Sequence, residues 1–95
     1  MANYKLSIAA REDLIRIHHY GVKKFGPIQA DKYFETFFEY FDLIAQQPYS
    51  FQSVNFIKEG YRRCVCGADS IFFRVKDDIV EIMAIIGRQD LNDIL

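Results

Sequence analysis

The chain has 95 residues and a net charge of −1; 51% of its residues are apolar and 16% aromatic. That length suits one domain with one core, and the composition is that of a folded chain, not a disordered one. The near balance of 12 basic and 13 acidic residues argues against a general nucleic-acid binder, which carries a strong basic excess.

The opening Tyr4-Lys5-Leu6-Ser7-Ile8 alternates and predicts a short strand running into a helix start, with Ser7 as N-cap. Nothing before it resembles the apolar core of a signal peptide, so a cytoplasmic location is expected. Glu12 and Asp13 follow, where acidic groups suit the positive end of a helix dipole. Leu14, Ile17, Gly21 and Phe25 recur every three or four residues, which predicts an amphipathic helix ending near Phe25. Gly26 is expected as a left-handed C-cap, and Pro27 cannot continue the helix.

The second helix is the clearest element. Ala30, Tyr33, Phe34, Phe37, Phe38, Phe41, Ile44 and Ala45 hold helical spacing over four turns, with Asp31, Lys32, Glu35, Glu39 and Asp42 on the other face. Gln46-Gln47-Pro48 ends it. The short Gly26-Pro27 junction predicts an antiparallel helical hairpin. Residues 49–60 have no clean period, but Tyr49, Phe51, Val54, Phe56 and Ile57 are too apolar for a free linker and predict a loop that packs down.

Three strands are expected near 61–66, 70–76 and 79–86, with Gly67-Ala68-Asp69 and Asp77-Asp78 as hairpin turns. Residues 89–95 have room for one helical turn. The order β-α-α-β-β-β predicts a single α+β domain over residues 1–95, a helical hairpin packed on one face of a twisted, mainly antiparallel sheet. No apolar run approaches the ~18–20 residues needed to cross a bilayer, and no membrane association is expected.

The chain is poor in catalytic groups. His18 and His19 are neighbours on a helix and point roughly 100° apart, a poor geometry for chelating one metal. Cys64 and Cys66, the two cysteines, share one face of a strand without a second pair to complete a zinc site; they read as buried small apolar side chains. No cofactor, metal or catalytic residue is expected. Basic charge is uneven instead. Residues 58–76 carry Lys58, Arg62, Arg63, Arg74 and Lys76 against Glu59 and Asp69, a local +3 on the first two strands of the sheet. Arg62 and Arg63 are adjacent on a strand and so face opposite sides. One is expected at the rim of the helix side with its stem packed, the other on the open face. Arg88, after Gly87, follows the last strand.

Several segments in order resemble the ParE toxins of the ParE/RelE superfamily. They are Leu-Ser-Ile-Ala-Ala-Arg-Glu-Asp-Leu-Ile-Arg-Ile (6–17), Phe-Gly-Pro-Ile-Gln-Ala-Asp-Lys-Tyr (25–33), Gly-Tyr-Arg-Arg (60–63), Gly-x-x-Ser-Ile-Phe-Phe-Arg-Val (67–75) and Ile-Ile-Gly-Arg-Gln-Asp (85–90). The resemblance implies the toxin of a type II toxin–antitoxin module, one that inhibits DNA gyrase and is neutralised by a ParD-like antitoxin in a hetero-oligomer. The related RelE branch cuts messenger RNA on the ribosome and needs groups that stabilise phosphate charge and move protons. At the matching places this chain holds Ser70, Gln89 and Leu95, which supply neither. The resemblance therefore favours a binding toxin over an enzyme. A RelE-type ribonuclease and a non-toxic, antitoxin-binding co-repressor stand as the alternatives. The expected antitoxin- or target-binding residues are Arg62, Arg63, Arg74 and Arg88, with Phe51 and Phe56 of the apolar loop lining a groove for a disordered acidic segment that folds on binding.

Overall fold

Ser7 makes the first junction of the fold. In the computed structural model, which describes residues 3–87, its hydroxyl accepts the N–H of Ala10 at 3.0 Å and caps the first helix. The elements run β1 (Tyr4–Leu6), α1 (Ile8–Phe25), α2 (Pro27–Gln46), a single 3-10 turn (Pro48–Ser50), β2 (Gln52–Ser53), β3 (Arg62–Cys66), β4 (Asp69–Lys76) and β5 (Ile79–Gly87). The strands form one sheet in the order β1-β5-β4-β3-β2. β1 lies parallel to β5 and the other pairings are antiparallel. This is the α+β arrangement that the sequence predicts.

Gly26 joins the two helices. Its N–H closes α1 on the carbonyl of Val22 at 3.0 Å. Its φ of 89° comes with an extended ψ of 164°, so it is a positive-φ hinge and not the expected left-handed cap; the region is nonetheless one that glycine alone enters freely. Pro27 then occupies the first turn of α2, where its missing N–H costs nothing.

The aromatic stripe of α2 fills the space between helices and sheet. Phe37, Phe41 and Ile44 are fully buried against Cys64, Cys66, Ile71, Phe73, Ile82 and Ile85. A bulge sets the phase of β5: Phe72 pairs with Ala84 and Phe73 with Ile82, leaving Met83 as the extra residue. Ile82 and Ile85, three apart, therefore both face the helices, which strict alternation forbids.

Beyond that bulge β1 has run out, since its pairing with β5 ends at Leu6↔Ile82. The edge of β5 is completed by side chains and by Ser7. The Ser7 N–H donates to Ile82 O and its Oγ to Met83 O, both at 2.9 Å. The Asp13 carboxylate accepts the N–H of Ile85 at 2.9 Å, and Arg16 donates to Ile85 O at 3.4 Å. Asp13 and Glu12 lie past the first turn of α1, so the role of Asp13 is to satisfy a strand edge, not a helix dipole.

The β3–β4 turn is one residue shorter than the sequence suggests. Cys66 pairs with Asp69, so Gly67 and Ala68 make the turn and Asp69 opens β4. Gly67 takes φ 58°. Asp77 and Asp78 both have positive φ, 53° and 64°, the pattern of a type I′ hairpin turn.

Candidate functional site

The hairpin register assigns each arginine a place. Arg62 shares the helix side with Cys64 and Cys66. Its Nη1 donates to Phe51 O at 2.8 Å and its guanidinium sits 5.1 Å from the centre of the Tyr49 ring. It fastens the segment leaving α2 to the sheet. Arg63 stands on the opposite, outer face, as the alternation of a strand requires. Its Nε donates to Ser70 Oγ at 2.9 Å. Arg74, also on the outer face, donates from Nε to Glu81 Oε1 at 2.9 Å, and Lys5 reaches Glu81 Oε2 at 3.4 Å. The Arg74 hydrogen bond, foremost, holds the Glu81 carboxyl below its ordinary pKa. Arg88 lies outside the described residues, as do Gln89, Leu95 and the helical turn expected over 89–95.

The outer face is narrower than expected because the 49–60 segment closes on both sides of the sheet. Phe51 turns into the helix-side core, edge-on to Phe73 at 5.9 Å between ring centres. Val54 is fully buried on the other side against Phe72, with Ile57, Tyr61 and Ile86 around it. Phe56 remains 73% exposed. The two phenylalanines are thus in different settings: Phe51 is half-buried against the helix-side core, and Phe56 is exposed.

A small hollow lies at Tyr49, Ser53, Asn55, Tyr61 and Arg62, and a larger groove lies between α1, α2 and the end of the sheet. The groove encloses about 650 Å³, with Tyr20, Phe25, Tyr33 and Phe34 on its helical walls and Asp69 and Gly87 at the sheet end. The helices approach closely along its wall at Gly21, where a Cβ would come within 3.3 Å of the Ala30 Cβ. His18 contacts Asp31 of α2 at 2.7 Å and packs edge-on to Phe34. Tyr33 bridges the groove to the sheet, its hydroxyl 2.7 Å from Asp69 Oδ2 and 2.9 Å from Cys66 O. Burial first, then the Asp69 carboxylate, pushes its phenol well above 10.

Cys64 and Cys66 share the helix face and are buried, with thiols pushed up to about 11 by desolvation. A thiol held protonated is a poor nucleophile and a poor metal ligand. Among the described residues no cluster of His, Cys, Asp and Glu has the size to hold a metal ion.

The sequence of residues 4–92 matches the family model described as the ParE toxin of the type II toxin–antitoxin system parDE. The chain belongs to the ParE toxin family. It is 35% identical over 75 residues to Toxin ParE1 of Caulobacter vibrioides, covering 79% of this chain and 78% of that one. Its fold is similar to a solved chain of the chromosomal ParDE toxin–antitoxin system from P. aeruginosa. The TM-score is 0.81 at 25% identity, over 92% of this chain and 96% of the other. In this ParE-family toxin, Ser70 has no accessible surface, and its hydroxyl accepts a hydrogen bond from Arg63 on the outer face. That pairing was hidden from the sequence by the turn length. A three-residue turn sets Ser70 opposite Cys66, whereas the two-residue turn sets it opposite Val65, diagonal to Arg63.

Proposed function

We propose that this protein is a toxin that acts by binding, inhibits DNA gyrase and is neutralised by a ParD-like antitoxin in a cytoplasmic hetero-oligomer. The observation that carries the reading is Ser70. At the strand position where RelE-type ribonucleases place a working arginine, this chain has a neutral hydroxyl. It is sealed from solvent and already bonded to Arg63. Such a group neither stabilises phosphate charge nor reaches a substrate. The two thiols are likewise buried and protonated. A toxin without its own chemistry acts by binding one conformation of its target more tightly than the others, which shifts the population toward it. The ParDE assembly of the structural relative supports an antitoxin partner of the ParD kind. No helix among the described residues is long and apolar enough to cross a membrane.

The test is gyrase supercoiling with purified protein. Inhibition with accumulation of cleaved DNA is expected, reversed by the product of the adjoining antitoxin frame. Unimpaired supercoiling together with ribosome-dependent cleavage of messenger RNA would instead make the protein a ribonuclease.

A further inference from the structure

The three sheet arginines have different amounts of bonding capacity left. The Arg62 guanidinium holds Phe51 O and lies near the Tyr49 ring, and Arg74 is neutralised by Glu81. Arg63 makes one hydrogen bond among the described residues, through Nε, to a hydroxyl that carries no charge. The guanidinium is planar, so fixing Nε restricts the plane in which both Nη groups lie. Ser70 itself has no exposed surface and sits in the middle of the sheet, so it is a rigid support. The result is a pre-oriented cation whose end-on Nη fork has no acceptor or carboxylate partner among the described residues. Apolar surface adjoins it: Val65, two residues along the same face, is 45% exposed, and Ile86, opposite Ser70, is partly buried.

We propose that Arg63, oriented by Ser70, is a carboxylate-anchoring site for an acidic and aliphatic protein segment. The fork matches two carboxylate oxygens, and Val65 offers a seat for a neighbouring aliphatic side chain. Because little rotational freedom remains to be lost, the contact costs less on binding than a free surface arginine would. This rests on the reading of the protein as an antitoxin-neutralised toxin, and identifies the acidic tail of that antitoxin as the occupant. Arg63 is then a binding residue and Ser70 a positioning residue that acts through it.

Two measurements test the proposal. The first is the affinity of the full chain for the antitoxin of the adjoining frame, at low and high salt. R63Q is expected to weaken binding about tenfold or more and to flatten the salt dependence, and R63K to restore only part. K76Q, an exposed cation at the far end of β4, should stay within about twofold. S70A should weaken binding less than R63Q, and the R63Q/S70A double variant no more than R63Q alone. Equal effects of R63Q and K76Q, or additive losses from R63Q and S70A, would overturn the proposal. If wild-type chain and antitoxin do not associate, the antitoxin reading fails, and the second measurement decides the site by itself. It follows the Arg63 Nε–H resonance while acetyl-Leu-Glu-Leu-amide, its Gln counterpart or a short single-stranded oligonucleotide is added. A shift with the Glu peptide alone supports a carboxylate site. A shift with the oligonucleotide, or with neither peptide, refutes it.

Discussion

Asp13 and Glu12 are adjacent acidic residues on the same helix, and the structure predicts that they differ sharply in value. The Asp13 carboxylate, with 24% of its side-chain surface exposed, accepts the backbone N–H of Ile85 at 2.9 Å and lies 3.5 Å from Arg16. Replacing it by alanine removes a hydrogen bond to a charged group, worth about 1.5–3 kcal/mol, and leaves a strand-edge donor that β1 is too short to reach. Arg16 stays on Ile85 O, so part of the edge survives. A loss of about 2 kcal/mol is expected for Asp13→Ala. In a domain of this size that lowers Tm by roughly 8–16 °C. Asp13→Asn keeps an acceptor oxygen but loses the charge, and should cost about half as much. Glu12→Ala, whose side chain makes no hydrogen bond or ion pair among the described residues, should fall within about 0.5 kcal/mol. Thermal and urea unfolding followed by circular dichroism measures all three. If Asp13→Ala unfolds within about 0.5 kcal/mol of Glu12→Ala, the edge-capping argument is wrong.

Gly67→Ala should be among the more damaging single-methyl additions: the new Cβ would sit 2.7 Å from the Tyr33 hydroxyl at a φ of +58°. A loss of at least ~2 kcal/mol is expected, and pairing it with Tyr33→Ala should relieve the clash but not the backbone strain, as chemical denaturation of both variants would show. Asp77-Asp78 has the opposite potential. Asp78→Gly at φ 64° suits the type I′ turn and should raise stability by ~0.5–1 kcal/mol, read as a higher Tm. The buried thiols set an alkaline limit. Their folded pKa values, about 11, lie above an ordinary 9.0. The unfolded chain therefore loses those protons first, and stability is intact below pH 9 and falls as pH rises toward 11. Removing the thiols as Cys64→Ala/Cys66→Ala should flatten that decline in pH-dependent unfolding curves, and an unchanged slope would assign it to other groups such as Tyr33.

Much of this fold is legible without coordinates because its signals are local. The Ser7 cap, the helical stripe from Ala30 to Ala45, the Gly26-Pro27 break and the alternating strands each follow from a few neighbouring residues. Periodicity correctly buried Phe37, Phe41 and Ile44 and put Cys64 and Cys66 on one face. The opposition of Arg62 and Arg63 is also determined by sequence, since adjacent strand residues point to opposite sides.

Which arginine lies on the helix side, and what each one holds, required the tertiary structure. Those outcomes depend on register and on partners far along the chain: the turn at Gly67-Ala68 places Ser70 diagonal to Arg63, and Asp13 meets Ile85 across 72 positions. The bulge at Met83 and the two-residue strand at Gln52–Ser53 likewise have no local signature strong enough to read. A sequence lists donors and acceptors, but their satisfaction is settled only when the whole chain competes for them. The sequence thus determined a basic sheet on a family-specific scaffold. The folded chain decided that Arg62 holds Phe51 O, that Arg74 pairs with Glu81, and that Arg63 bonds an uncharged hydroxyl.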